Sequence, residues 1–198
     1  MPIPDFTIDG VLPPFVGANG PGGAVEDMSP YAASALEVVS TFGHTDRRKT
    51  ILKGWLRYRE ALRSVGFNRG FQWLDGSFVE QKDPKDLDIV TFPYRPIGTE
   101  KVEDFHKLLK AHQQLLFDRT WIKQTFNLDA FFVDLNGSPE ATVKATRYWV
   151  GLFSHRRGDN LWKGILQARL DSVDDDIAAL RALGDESTAV GVVEGVNL

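Results

Sequence analysis

Residues 71–92 read FQWLDGSFVEQKDPKDLDIVTF. The apolar run Phe71–Leu74 has the look of a short strand and delivers Asp75-Gly76-Ser77 as a turn. Eight residues separate Ser77 from Asp86. Asp86 and Asp88 then alternate with Leu87, Ile89 and Val90 until Pro93 stops the run. On a strand over Leu87–Phe92, residues two apart share a face, so Asp86 and Asp88 point the same way. Two like charges side by side repel, and burying them is costly unless a cation neutralises them. Hard oxygen ligands of this kind suit magnesium or manganese. Blander readings exist for the parts: Asp75-Gly76-Ser77 alone is an ordinary turn, and Asp86 could cap a turn after Pro84-Lys85. They do not explain Asp88, an acid in the middle of an apolar strand, where a partner or a metal is expected.

Outward from this stretch, strand and helix patterns are intermixed, which predicts an α+β fold with a small mixed sheet packed against several helices. Residues 1–29 are rich in Gly and Pro and read as an extended arm. Ser29-Pro30 is a helix-start signal for Tyr31–Phe42. Thr45 or Asp46 caps a second helix to about Ser64, apolar at Ile51, Leu52, Trp55, Leu56 and Leu62. Its polar side is basic: Arg47, Arg48, Lys49, Lys53, Arg57, Arg59 and Arg63. Such a side is either a solvated face or a phosphate and nucleic-acid contact. Thr99 or Glu100 opens a helix whose buried side runs from Val102 to Leu116. Ala130–Leu135, AFFVDL, reads as a third strand carrying Asp134. Ser138-Pro139-Glu140 starts a helix to Phe153, which ends in the basic cluster Ser154-His155-Arg156-Arg157-Gly158. Lys163–Leu170 reads as a strand and Asp171 or Ser172 caps a last helix to Leu183. The expected division is an arm over 1–29, one domain over 30–184 and a loose tail over 185–198.

The 198 residues hold no cysteine, which excludes disulfides, thiolate metal sites and thiol catalysis. The N-terminal residues lack the basic start and apolar stretch of a signal peptide, and no run approaches the roughly 18 apolar residues that span a bilayer. A soluble, cytoplasmic protein with no membrane partner is the expectation. Net charge is −4, but residues 44–170 carry 22 basic against 15 acidic residues, while both flanks are acidic. That asymmetry fits a central anion-binding surface or an ordinary solvated one.

Leu74-Asp75-Gly76-Ser77, the eight-residue gap and Asp86-Leu87-Asp88-Ile89-Val90 resemble the signature of the nucleotidyltransferase superfamily related to polymerase β, in its small bacterial form. That signature is a Gly-Ser turn, about ten residues, and an acid–apolar–acid triplet on a strand. A third acid on a later apolar strand completes it, and Phe132-Val133-Asp134-Leu135 matches. The resemblance implies a nucleotidyltransferase-type sheet and transfer of an NMP from an NTP, such as ATP, to a hydroxyl on a protein or RNA. Toxin–antitoxin or defence systems are settings for such small members. It implies that Asp86, Asp88 and Asp134 are catalytic and bind Mg2+ or Mn2+. Gly76 would let the backbone approach the triphosphate and Ser77 would donate to a phosphate. Lys82, Lys85, Arg147, His155, Arg156 and Arg157 are the further nucleotide-binding candidates, although the last three equally complement a helix C-terminus. The gap is short and carries Glu80 and Asp83 beside its lysines, a departure from a plainly phosphate-binding loop. A partner protein or a homo-oligomer fits the setting. The alternatives are a catalytically inactive binding or regulatory subunit on the same fold, and a nucleic-acid-binding module using the basic helix.

Overall fold

The computed structural model of the chain describes residues 3–17 and 20–185. Its strands are β1 Tyr31–Ala32, β2 Gly70–Asp75, β3 Leu87–Pro93, β4 Leu128–Phe132 and β5 Leu166–Arg169. The helices are α1 Ala35–Phe42, α2 Asp46–Ser64, α3 Val102–Ala111, α4 Gln113–Phe117, α5 Arg119–Phe126, α6 Pro139–Phe153 and α7 Val173–Ala182. The strands form one mixed sheet in the order β1-β5-β2-β3-β4, so the fold is α+β as the pattern predicts. Two-residue alternation sorts the side chains between its faces. Leu74, Leu87, Ile89, Leu128, Ala130, Leu166 and Ala168 point into the larger core with α1, α2, α4, α5 and α7. Trp73, Val90, Phe92 and Ile165 point the other way and are covered by Trp149 and Phe153 of α6.

Several local expectations shift. Tyr31 and Ala32 pair with β5 instead of starting a helix, and Ser34 caps α1 through a reciprocal capping box with Glu37. The backbone N–H groups of Tyr31 and Ala33 donate to Ile165 and Gln167 carbonyls, which outweighs the local Ser-Pro signal. The N-terminal segment packs against the body: Val11 and Leu12 are buried, Gln81 N–H donates to Gly10 O, and Gly164 N–H donates to Leu12 O. The single helix expected up to Leu116 breaks at His112 into α3 and α4. The third strand starts at Leu128 and stops at Phe132, so it includes Asp129 and excludes Asp134. Only residue 185 of the expected tail falls among the described residues.

Three of the seven basic residues of α2, Arg48, Arg59 and Arg63, turn inward. Arg48 and Arg59 are fully buried. Arg59 donates to Asp176 at 2.8 Å and to Gln72 at 3.2 Å, and Arg63 pairs with the same Asp176 at 2.5 Å. Trp55 and Gln72 extend this buried network to Thr91. Arg57 reaches Asp185 at 2.9 Å, leaving Lys49 and Lys53 on the outer side. Three of its five arginines, Arg48, Arg59 and Arg63, are thus committed to the interior, while Arg47 and Arg57 stay exposed.

Gly54 sits where α2 meets the end of α5. A Cβ there would lie 1.9 Å from the Phe126 carbonyl oxygen. Alanine improves helix propensity by about 1 kcal/mol. Overlap with backbone costs more, because α5 must move, and overpacking of this kind costs about 3 kcal/mol. Gly54→Ala is therefore expected to destabilise by about 2 kcal/mol in urea denaturation; an unchanged or raised midpoint would contradict the close approach. Among the described residues, no helix is long and apolar enough to cross a membrane.

Candidate active site

The register of three neighbouring strands builds the site. Asp75 at the end of β2 pairs across the antiparallel ladder with Asp88 of β3, and Asp88 pairs across the parallel ladder with Asp129 of β4. Alternation turns all three carboxylates toward the α6 side, in the column beyond Trp73, Val90 and Phe131. Adjacent strands are about 4.8 Å apart, so the row puts three acids at one level of the sheet. Asp86, two residues before Asp88, adds a fourth.

The Gly-Ser turn lies against this row. Residues Gly76–Val79 form a 3-10 turn. Gly76 has φ +77°, and a Cβ on it would come within 1.9 Å of Asp88 Oδ2. Only glycine lets the turn and that carboxylate occupy neighbouring space. Ser77 is half-buried and its hydroxyl makes no hydrogen bond. The following loop is held from three sides. Arg48 donates to the carbonyls of Phe78, Glu80 and Lys82 at 2.6 to 2.8 Å. Arg47 donates to Pro84 O and Lys85 O. Lys163, just before β5, donates to Gly76 O at 2.9 Å. The first turn of α2 therefore braces the loop that separates the turn from Asp86 and Asp88, which the sequence pattern does not reveal.

The electrostatics are unusual for a surface. Burial pushes Asp75 up to about 7, against the pull of Lys163, whose Nζ lies 3.1 Å from Oδ1 without hydrogen-bond alignment. Burial also pushes Asp88 up to about 6; Asp86 and Asp129 add to this, and Arg157 and Lys163 oppose it. Asp88 itself has neither a hydrogen bond nor an ion pair. Its two acidic neighbours do have partners, both from α5. Lys123 pairs with Asp86 at 2.5 Å, and Arg119 grips Asp129 through Nε and Nη2 at 2.8 and 2.7 Å.

The expected site residues divide as follows. Gly76, Ser77, Asp86 and Asp88 come together. Arg157 is exposed and unpaired, close enough to Asp88 to hold its carboxyl down. Asp134 does not join them: it lies five residues beyond Asp129, roughly 16 Å along an extended chain, and accepts from Arg95 at 2.7 and 3.0 Å and from Asn136 N–H. Lys82 pairs with Glu80 at 2.6 Å. Lys85 is exposed with its side chain unpaired. Arg147 lines a hollow on α6 with Pro139, Glu140, Val143 and Lys144. Arg156 is held by Asp159 and donates to Asp9 O at 2.8 Å. His155 accepts from or donates to Ser154 and lines a cavity with Trp162 and Lys163. Asp129, Lys163, Arg119 and Lys123 were not singled out by sequence. Asp129 had a visible signal, an acid alternating with Leu128 and Ala130, while the others are recognisable only from their partners.

Among the described residues no three acidic or histidine side chains converge closely enough to cage an ion. Carboxylate oxygen is the donor type that a hard divalent cation takes, and Asp88, half-buried and unpartnered, is flanked by Asp86 and Asp129, whose present partners are exposed side chains.

A family model described as a family of unknown function, DUF6932, matches residues 4–169. No curated protein matches the sequence. Among solved structures, a candidate nucleotidyltransferase from Sulfolobus solfataricus aligns with 17% identity over 72% of this chain and 97% of its own, with a TM-score of 0.28.

Proposed function

The chain belongs to this family of unknown function, DUF6932, and we propose from its site that it is a metal-dependent nucleotidyltransferase, moving an NMP from an NTP to a hydroxyl on a protein or RNA. The observation that carries this reading is Asp88: half-buried, unpartnered, level with Asp75 and Asp129, and in contact with the Gly76 turn. An acid in that position lowers stability unless a cation contacts it, and none of the nearby cationic side chains forms an ion pair with it.

In this reading Asp86, Asp88 and Asp129 hold Mg2+ or Mn2+, and Asp129 takes the role expected of Asp134. The ion supplies charge neutralisation for the triphosphate and the leaving pyrophosphate. Gly76 gives the phosphates access to the turn backbone, and the free Ser77 hydroxyl donates to them. Arg157, unpaired beside Asp88, contacts a phosphate. Lys163 fixes the turn by holding Gly76 O and keeps Asp75 from competing as a second unpaired acid.

The test is calorimetric titration with ATP, GTP, CTP and UTP, each with Mg2+ or Mn2+. At least one is expected to bind only with metal and to lose binding at least 100-fold in Asp88→Asn. The pairs Lys123–Asp86 and Arg119–Asp129 favour a second reading, an inactive relative whose acids are neutralised internally. Metal-dependent binding to none of the four would reject the first reading in favour of the second. Incubating the protein with each labelled NTP in lysate then asks which macromolecule acquires label.

A further inference from the structure

Asp75, Asp86, Asp88 and Asp129 face Lys163, Lys123, Arg157 and Arg119. The site is thus already balanced in charge, and a bare divalent ion entering it would have to displace cations from Asp86 and Asp129. Lys163 is not free to leave, being 3% exposed and shared with Gly76 O, Asp75 and Glu80. Lys123 and Arg119 differ. Each side chain is 56% exposed, and they stand four residues apart, one turn, on the same side of α5.

We propose that Lys123 and Arg119 are exchangeable counter-ions: they hold Asp86 and Asp129 in the empty site and pass to the phosphates of an arriving metal–triphosphate complex. The inference rests on the function proposed above. The reason is charge conservation at a half-buried site. A metal taken alone leaves two freed cations beside it with no anion, which is unfavourable. A metal that arrives with a triphosphate gives the carboxylates a cation and the freed side chains an anion at once. The site therefore prefers the complex to either component. The two residues are unequal. Lys123 makes one contact and is a flexible point charge, so it releases first. Arg119 is bidentate to Asp129 and lies over the Phe131 ring at 4.5 Å, so it releases less readily.

The probes are Mn2+ alone and Mn2+ with inorganic tripolyphosphate, titrated into the full chain, Lys123→Gln and Lys123→Arg. Removing a competitor strengthens one ligand, and removing a phosphate contact weakens the other. Lys123→Gln is expected to bind Mn2+ alone roughly threefold to tenfold tighter and the Mn2+–tripolyphosphate complex roughly threefold to tenfold more weakly. Lys123→Arg keeps the cation, so it should show neither the Mn2+ gain nor the weakened complex of Lys123→Gln. A general field effect would mimic the opposite signs at low salt. The Mn2+ measurement is therefore repeated at 1 M salt, where the screening length is about 3 Å and only contact competition survives. Changes of the same sign for both probes, no change for either, or loss of the Mn2+ gain at 1 M salt overturn the exchange while leaving the proposed function standing. Failure of the unmodified chain and both variants to bind either probe overturns the exchange together with the proposed function.

Discussion

Lys163→Met is expected to destabilise the fold by about 3–5 kcal/mol at pH 8, the largest effect of any single substitution near the site. The ammonium is buried with three oxygens: Gly76 O at 2.9 Å, Asp75 Oδ1 at 3.1 Å and Glu80 Oε1 at 3.3 Å. Asp75 and Glu80 have side chains only 5% and 6% exposed. Methionine fills the volume but leaves a buried carboxylate at Asp75 with no counter-ion. Glu80 keeps Lys82 at 2.6 Å, so the damage concentrates on Asp75 and on the turn that Lys163 holds. The loss has a pH signature. Asp75 is already pushed up to about 7 by burial, against the pull of Lys163. Without that pull it rises further. A carboxyl whose folded value lies above its unfolded value binds more protons in the native state, so stability falls as pH rises through that window. The deficit of Lys163→Met should therefore be greatest near pH 8 and shrink toward pH 5, where Asp75 is protonated in either protein. Urea denaturation at both values measures it. A deficit below about 1 kcal/mol at pH 8, or one that does not shrink on acidification, would show that Lys163 is not the counter-ion of this cluster.

The second large effect runs the other way. Asp88→Asn is expected to abolish metal-dependent triphosphate binding and to stabilise the protein. Asp88 is raised from 3.8 to about 6 by burial and by Asp86 and Asp129. Each unit corresponds to about 1.4 kcal/mol, which sets an upper bound near 3 kcal/mol for the penalty of ionising it in the fold. Its residual solvent contact lowers the expected gain to about 2 kcal/mol, or roughly 5 °C in Tm for a chain of this size. The native protein binds the extra proton between the unfolded and folded values, so its stability falls as pH rises from about 4 to about 6 and is level above. Asparagine has no such dependence. The difference between the two proteins should be near zero at pH 4 and complete by about pH 7. Thermal scans in a chelator at pH 4, 5, 6 and 7.5 trace it. A variant that is less stable than the parent at pH 7.5 would mean that Asp88 is a structural acid, and the idea of a carboxylate kept for a ligand would fail. Stability gained as binding is lost is the behaviour of a residue retained for function.

These two residues also divide what was readable along the chain from what was not. Asp88 is legible because its oddity is local: an acid between Leu87 and Ile89 violates the apolar pattern of its own strand. Lys163 has no such mark. Its neighbours Trp162 and Gly164 say nothing about Asp75, which lies 88 residues earlier and meets it only through the β2–β5 pairing. The basic side of α2 misleads for the same reason. Seven cations on one helix look like a surface, but Asp176 of α7 and the carbonyls of the loop after Val79 draw three of them, Arg48, Arg59 and Arg63, inward.

The linear sequence by itself determined the turn at Gly76-Ser77, the strand that carries Asp88 with Asp86 just before it, the α+β mixture and most helices, because two-residue and helical periodicities are properties of neighbours in the chain. Tertiary structure alone decided which acid completes the row. Asp129 and Asp134 both sit in the apolar segment LDAFFVDL, and nothing local separates them. The choice depends on how β4 registers against β3 after three intervening helices: Leu87 aligns with Leu128, so Asp88 meets Asp129 and Asp134 falls past the strand end to Arg95. Register across a long crossover is fixed by packing of the whole core, not by the residues that end up facing one another.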